Sequence, residues 1–187
     1  MTRMEAWRRL RLLGAVGALA GLAACASIPY AYDQPGAARP AWRPYGAQPA
    51  VEYPLSPLQC VPFARQASGI EIYGDANTWW AQAAGKYQRS TLPAVGSVMV
   101  LRGYNTTTRG HVAVVTAILS DREVLVDQAN WMNGGEITRR VPVLDVSPAN
   151  DWSEVRVWWI PTNAWGARVY EGEGFIHRGP LIVASTS

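Results

Sequence analysis

A lone cysteine in front of a proline, within Leu58-Gln59-Cys60-Val61-Pro62-Phe63-Ala64-Arg65, is the first residue with chemistry to offer. The chain has two cysteines and two histidines, and the other cysteine, Cys25, closes an apolar N-terminal run. Cys60 falls where a short helix over 61–68 should begin, because Pro62 suits an early helical position and Gly69 is a stop signal. Unpaired N–H groups and the macrodipole at a helix start favour a thiolate over a thiol. Such a nucleophile needs a proton acceptor. His111 opens the run "GHVAVVTAIL" directly after Gly110 and projects from a strand end, whereas His177 lies in a Gly-rich tail. The imidazole in turn needs a partner that fixes its tautomer. The run "EVLVDQANW" offers Gln128 and Asn130 on one strand face and Asp127 on the other. Three blander readings stay open: a buried small Cys60, a His111 that only bonds a loop, and a polar pair satisfied at its own strand end.

These side chains must be held by the elements around them. A second helical segment is expected at 76–84, ending at Gly85. Beyond Pro93 the pattern changes to strands, in "SVMVLRG", "HVAVVTAIL", "EVLVDQANW" and "VRVWWI", parted by turn residues such as Asn133-Gly134-Gly135. Helices first and antiparallel strands afterwards argue for an α+β layout. The domain is expected at 55–160, with a C-terminal extension at 161–187 that packs through Tyr170, Phe175 and Ile176. Trp79, Trp80, Trp131 and Trp152 fall on helix ends and loops, where flat rings suit a substrate groove. Trp79 and Trp131 are the groove candidates carried forward, Trp131 foremost, while Trp158 and Trp159 read as core.

Residues 1–24 carry Arg3, Arg8, Arg9 and Arg11 and then an apolar run too short for a bilayer span, which reads as a secretory signal. Leu22-Ala23-Ala24-Cys25 resembles a bacterial lipobox, so Cys25 is the expected lipidation site and first mature residue. Acyl chains contribute about 0.8 kcal/mol per buried methylene, and several on one residue anchor firmly. The expected location is exported and membrane-anchored, at the outer membrane facing the periplasm. Residues 25–54, rich in Pro, Ala, Gly and Tyr, read as a tether. Removing 1–24 takes away four of seventeen Lys and Arg residues and one of fourteen Asp and Glu, leaving thirteen of each. The mature chain is therefore neutral, and its charge gives no reason to expect nucleic acid as a partner. With one thiol left and no resolving cysteine, an autonomous redox role is disfavoured.

"LQCVPFAR", "GHVAVV" and "VDQANW", in this order between Leu58 and about Trp159, resemble the CHAP family of cysteine, histidine-dependent amidohydrolases and peptidases. The resemblance implies a papain-like α+β fold with N-terminal helices packed on an antiparallel sheet, and peptidoglycan as substrate. It makes Cys60 the nucleophile and His111 the general base, with no metal and no cofactor. The oxyanion would meet the Cys60 N–H and Gln59. At the third position the sequence departs from the best-known members, which carry a glutamate two residues before the asparagine; Gln128 stands there, leaving Gln128, Asn130 or, through a bulge, Asp127 to orient the ring. Both an N-acetylmuramoyl-L-alanine amidase and a cross-link endopeptidase fit. A different class remains beside them, a wall-binding or scaffold lipoprotein of the same fold without turnover, and the sequence names no regulatory partner.

Overall fold

Alternating apolar residues beyond Pro93 produce strands, and their pairing encloses a core. The computed structural model describes residues 48–179. Nine strands are present among them: β1 (Ala50–Glu52), β2 (Gln88–Ser90), β3 (Val98–Arg102), β4 (Gly110–Ile118), β5 (Glu123–Ala129), β6 (Ile137–Asp145), β7 (Glu154–Trp159), β8 (Ala164–Trp165) and β9 (Tyr170–His177). The sheet order is β1-β6-β5-β4-β3-β9-β7-β8, with β2 alongside β9. All pairings are antiparallel. Strand β6 also pairs β7, so the path β6-β5-β4-β3-β9-β7 closes on itself as a barrel.

The period-two pattern divides the apolar residues between two cores. Met99 and Leu101 of β3, Ala113 and Val115 of β4, and Val124 and Val126 of β5 join Trp152, Trp158 and Phe175 in one cluster. The alternate residues Val98, Val100, Val112 and Val114 face the other way and pack with Phe63, Ala64, Ile70, Ile72 and Trp79. Phe63 and Ala64 belong to helix α1 (Cys60–Ser68), which ends on the left-handed Gly69 with its N–H on the Arg65 carbonyl. The expected second helix is shorter than read: Ala76–Thr78 is a 3-10 turn, and helix α2 spans Trp79–Ala83. The fold is accordingly mostly β, and the antiparallel sheet on which α1 packs closes into a barrel.

Two expected boundaries fall inside the sheet. The sequence makes 161–187 an extension, but β9 lies between β3 and β7 and pairs Val98 with Ile176 and Met99 with Phe175. Its glycines disguised it, since glycine weakens a strand and reads as loop. Gly172 is required because a Cβ there would collide with the Trp152 carbonyl oxygen. Likewise β1 lies within the expected tether of 25–54, pairing Val51 with Thr138. The signal segment 1–24 and Cys25 lie outside the described residues.

Candidate active site

The sequence Gln59-Cys60-Val61-Pro62 starts α1 with Gln59 in extended geometry and Cys60 as the first helical residue. The Phe63 N–H closes the first turn on the Gln59 carbonyl at 3.2 Å, and the Leu58 N–H is held by the Gly135 carbonyl at 2.9 Å. Cys60 is half-buried against the helix-side core. Backbone N–H groups of Val112, Val61 and Cys60 itself favour the thiolate, but burial outweighs them and pushes the Cys60 pKa above that of an ordinary thiol. Packing of this helix end against the sheet thus favours the thiol over the thiolate expected at a helix start.

His111 is the second residue of β4, opposite Leu101 of β3. Gly110 makes this approach possible, since a Cβ there would lie 2.7 Å from the Asn77 nitrogen and 2.9 Å from the Leu101 carbonyl oxygen. The His111 Nε2 pairs with the Gln128 Oε1 at 2.9 Å. An amide oxygen only accepts, so Nε2 carries the hydrogen and Nδ1 keeps the lone pair. Burial lowers the His111 pKa to about 4, opposed by the Gln128 bond and by the negative charge of Glu136. The ring is therefore a neutral base at neutral pH. Gln128 is 1% exposed, and its Nε2 has no partner; nor has the Oγ1 of Thr138, its cross-strand neighbour.

Asn130 lies near the imidazole in sequence but serves the loop instead. Its backbone is left-handed, with φ of 59°. Its Oδ1 accepts from the Gly135 N–H at 2.9 Å, and its Nδ2 donates to the Gln59 Oε1 at 2.8 Å. This ties the turn after β5 to the residue before Cys60 and leaves the Gln59 Nε2 as the free donor of that amide. Asn130→Ala is expected to lose about 2 kcal/mol of stability, measured by urea unfolding. Turnover should fall about tenfold, because Gln59 loses the Asn130 Nδ2 bond that holds its side chain. Asp127 points elsewhere: it accepts from the Arg139 Nη1 at 2.9 Å and the Arg140 N–H at 2.8 Å. A register shift does occur between Val126 and Gln128, yet the extra residues are Arg139 and Arg140 of β6, with Arg140 at φ 53°. Asp127 therefore stays on its own face and braces the bulge.

Gln59, Cys60, His111, Asn130 and Trp131 line one open cavity of about 640 Å³. A run of rings forms its wall. Trp131 meets His111 edge-on at 4.8 Å, Tyr170 packs on Trp131 at 5.1 Å, and Tyr104 on Tyr170 at 5.7 Å. The Arg168 guanidinium caps the row 4.8 Å from the Tyr104 ring centre. Trp131 thus stands in the groove. Trp79 does not: it is fully buried among the helix-side apolar residues, because the short α2 turns that face inward. Trp152 is also interior, against Phe175 at 5.5 Å. Trp159, read as core, lines the cavity, as do Tyr170, Arg168 and Arg109. Tyr170 carries no groove signal in the sequence, because the glycines around it hide the strand β9 that brings it to the wall. His177 is buried and paired with the Ser90 Oγ at 2.9 Å, away from this cavity.

Residues 48–130 match the family model of the CHAP domain. The matched segment holds Cys60, His111, Gln128 and Asn130 and stops before Trp131, Glu136 and strands β6 to β9. CHAP domains are generally cysteine- and histidine-dependent amidohydrolases or peptidases, and the match covers under half of the chain. No curated protein matches the chain.

Proposed function

We propose that the CHAP domain of this chain hydrolyses an amide bond of peptidoglycan with Cys60 as nucleophile and His111 as general base. The observation that carries the reading is the His111–Gln128 hydrogen bond, which leaves Nδ1 as the basic nitrogen of a ring lining the same cavity as Cys60. In this mechanism Nδ1 takes the thiol proton as sulfur attacks the amide carbonyl carbon, forming the C–S bond. The oxyanion is met by the Cys60 N–H and by the Gln59 amide. The imidazolium then gives its proton to the nitrogen as the C–N bond breaks, leaving a thioester and a free amine. Water adds to the thioester, its proton passing to Nδ1, and the carboxylic acid departs as the thiol re-forms. Gln128 orients the ring but brings no charge to offset the imidazolium.

The test is incubation of the full-length protein, purified in detergent, with isolated sacculi. Soluble muropeptides are the expected result, and the mass of the fragments separates amidase from endopeptidase cleavage. No release, under conditions where a control hydrolase works, overturns the proposal.

A second reading is favoured by one observation: burial moves both ionisations away from a thiolate–imidazolium pair. A wall-binding protein that keeps the fold without turnover would show this. It predicts sacculus co-sedimentation without fragment release, and Cys60 alkylation with the pH dependence of an unactivated thiol.

We further propose that Cys25 carries the lipid that holds the domain at the membrane, facing the periplasm. Cys25→Ala is expected to move the protein from the membrane to the soluble fraction while hydrolysis in detergent extracts persists. Retention of Cys25→Ala in washed membranes overturns this part.

A further inference from the structure

The carboxylate expected beside His111 is missing at position 128, but the strand opposite carries another. Gln128 pairs with Thr138 and Ala129 with Ile137, and the Asn130 N–H donates to the Glu136 carbonyl at 2.8 Å. Cross-strand neighbours share a face, and alternation then places Glu136, Thr138 and Gln128 together. Glu136 is 1% exposed. Its Oε1 accepts from the Met132 N–H at 2.6 Å, and its Oε2 from the Gly134 N–H at 2.9 Å. The carboxylate thus crosses the turn that carries Trp131, and Trp131 packs on His111. A buried carboxylate is costly unless hydrogen-bonded, and an apolar side chain would fill the space at lower cost. Its placement asks for a function.

We propose that Glu136 takes the place of the absent carboxylate at position 128: clamped by two backbone N–H groups, it is the positioning residue that sets Trp131 against His111 and supplies the negative charge that stabilises the protonated ring. This rests on His111 acting as the base. The charge of Glu136 raises the proton affinity of His111 against the lowering by burial. The other charged groups near the ring are placed differently. Asp75 lies with Arg109 and Arg168 on the cavity wall, and Asp127 faces away in its pair with Arg139. Arg102 of β3 is engaged by Glu171 and Glu173 of β9; from α1, Cys60 lines the same cavity, while the Arg65 guanidinium lies over the Tyr73 ring. Tyr104 and Tyr170 complete the titratable set on that wall.

The test follows the two imidazoles of the full chain by NMR, with His177 as internal reference. In Glu136→Gln the His111 titration is expected to move down by about half to one pH unit, while His177 stays in place. Adding Gln128→Glu to that variant is expected to restore it. Glu136→Asp keeps the charge on a shorter stem, and is expected to loosen the Trp131–His111 contact with a smaller change in titration. An unmoved His111 titration in folded Glu136→Gln overturns the proposal. If that variant does not fold, the unmodified protein decides. The carboxyl ¹³C shift of Glu136 is expected to show an inflection at the pH where His111 titrates, and its absence overturns the proposal. These readings concern the ring itself, so they stand apart from the sacculus assay: release without a titration shift removes the role of Glu136, and a shift without release removes the hydrolase.

Discussion

Cys60→Ala is expected to reduce fragment release from sacculi to background, a loss on the order of 10⁴-fold or more, while the unfolding transition stays nearly unchanged. In the proposed reaction no other described group can form the thioester, and water would have to replace it without the same geometry. The structural effect is small by comparison. Cys60 is half-buried, and removing one sulfur loses about 1 kcal/mol of burial. Cys60→Ser keeps the shape and should be equally inactive, because the hydroxyl is a far weaker acid against a base whose pKa is about 4. Full activity in either variant overturns the assignment of the nucleophile. Equal sacculus binding by Cys60→Ala and the unmodified protein, with release lost only in the former, separates turnover from affinity.

The site was more legible than the fold because its signals are local. A proline just inside a helix and a glycine just past it mark where Cys60 must sit, and a strand beginning at Gly110 marks His111. Strand alternation puts Gln128 and Asp127 on opposite faces but leaves open which of them, or Asn130, meets His111, because the bulge that decides the face of Asp127 lies on β6 and leaves no mark in β5. What was hidden depends on closure. The pairing of β6 with β7 and the insertion of β9 bring Tyr170 and Trp159 to the cavity wall from residues far along the chain. Trp79 lies in the core and not in the groove because a tryptophan at a helix start suits either, and only the packed neighbours decide. Asn130 shows the same limit, since its left-handed turn swings the side chain from the strand face toward Gln59. Glu136 had one usable signal: an acid between Gly134-Gly135 and an apolar strand, three residues beyond Asn133, where a turn must satisfy its own N–H groups.

The buried imidazole also makes stability depend on pH with a definite sign. The folded-state pKa of His111, about 4, lies below the unfolded value of about 6.5. Between these pH values the unfolded chain binds a proton that the folded chain refuses, so stability rises with pH through the window and is lost as pH falls through it. The full difference amounts to about 3 kcal/mol between pH 7 and pH 4. His177, also lowered by burial, adds a loss of the same sign. The contribution of His111 is isolated by comparison with His111→Gln, which keeps an amide beside Gln128 but cannot titrate. Urea unfolding at pH 7 and pH 4 should show the unmodified protein losing about 3 kcal/mol more than the variant over that interval. Parallel losses in both proteins would mean that the ring protonates in the folded state as readily as in water. The same burial sets the acid limb of activity: kcat/KM should hold well below pH 6.5 and fall toward pH 4, until acid unfolding intervenes, because the free enzyme's essential base is lost only there.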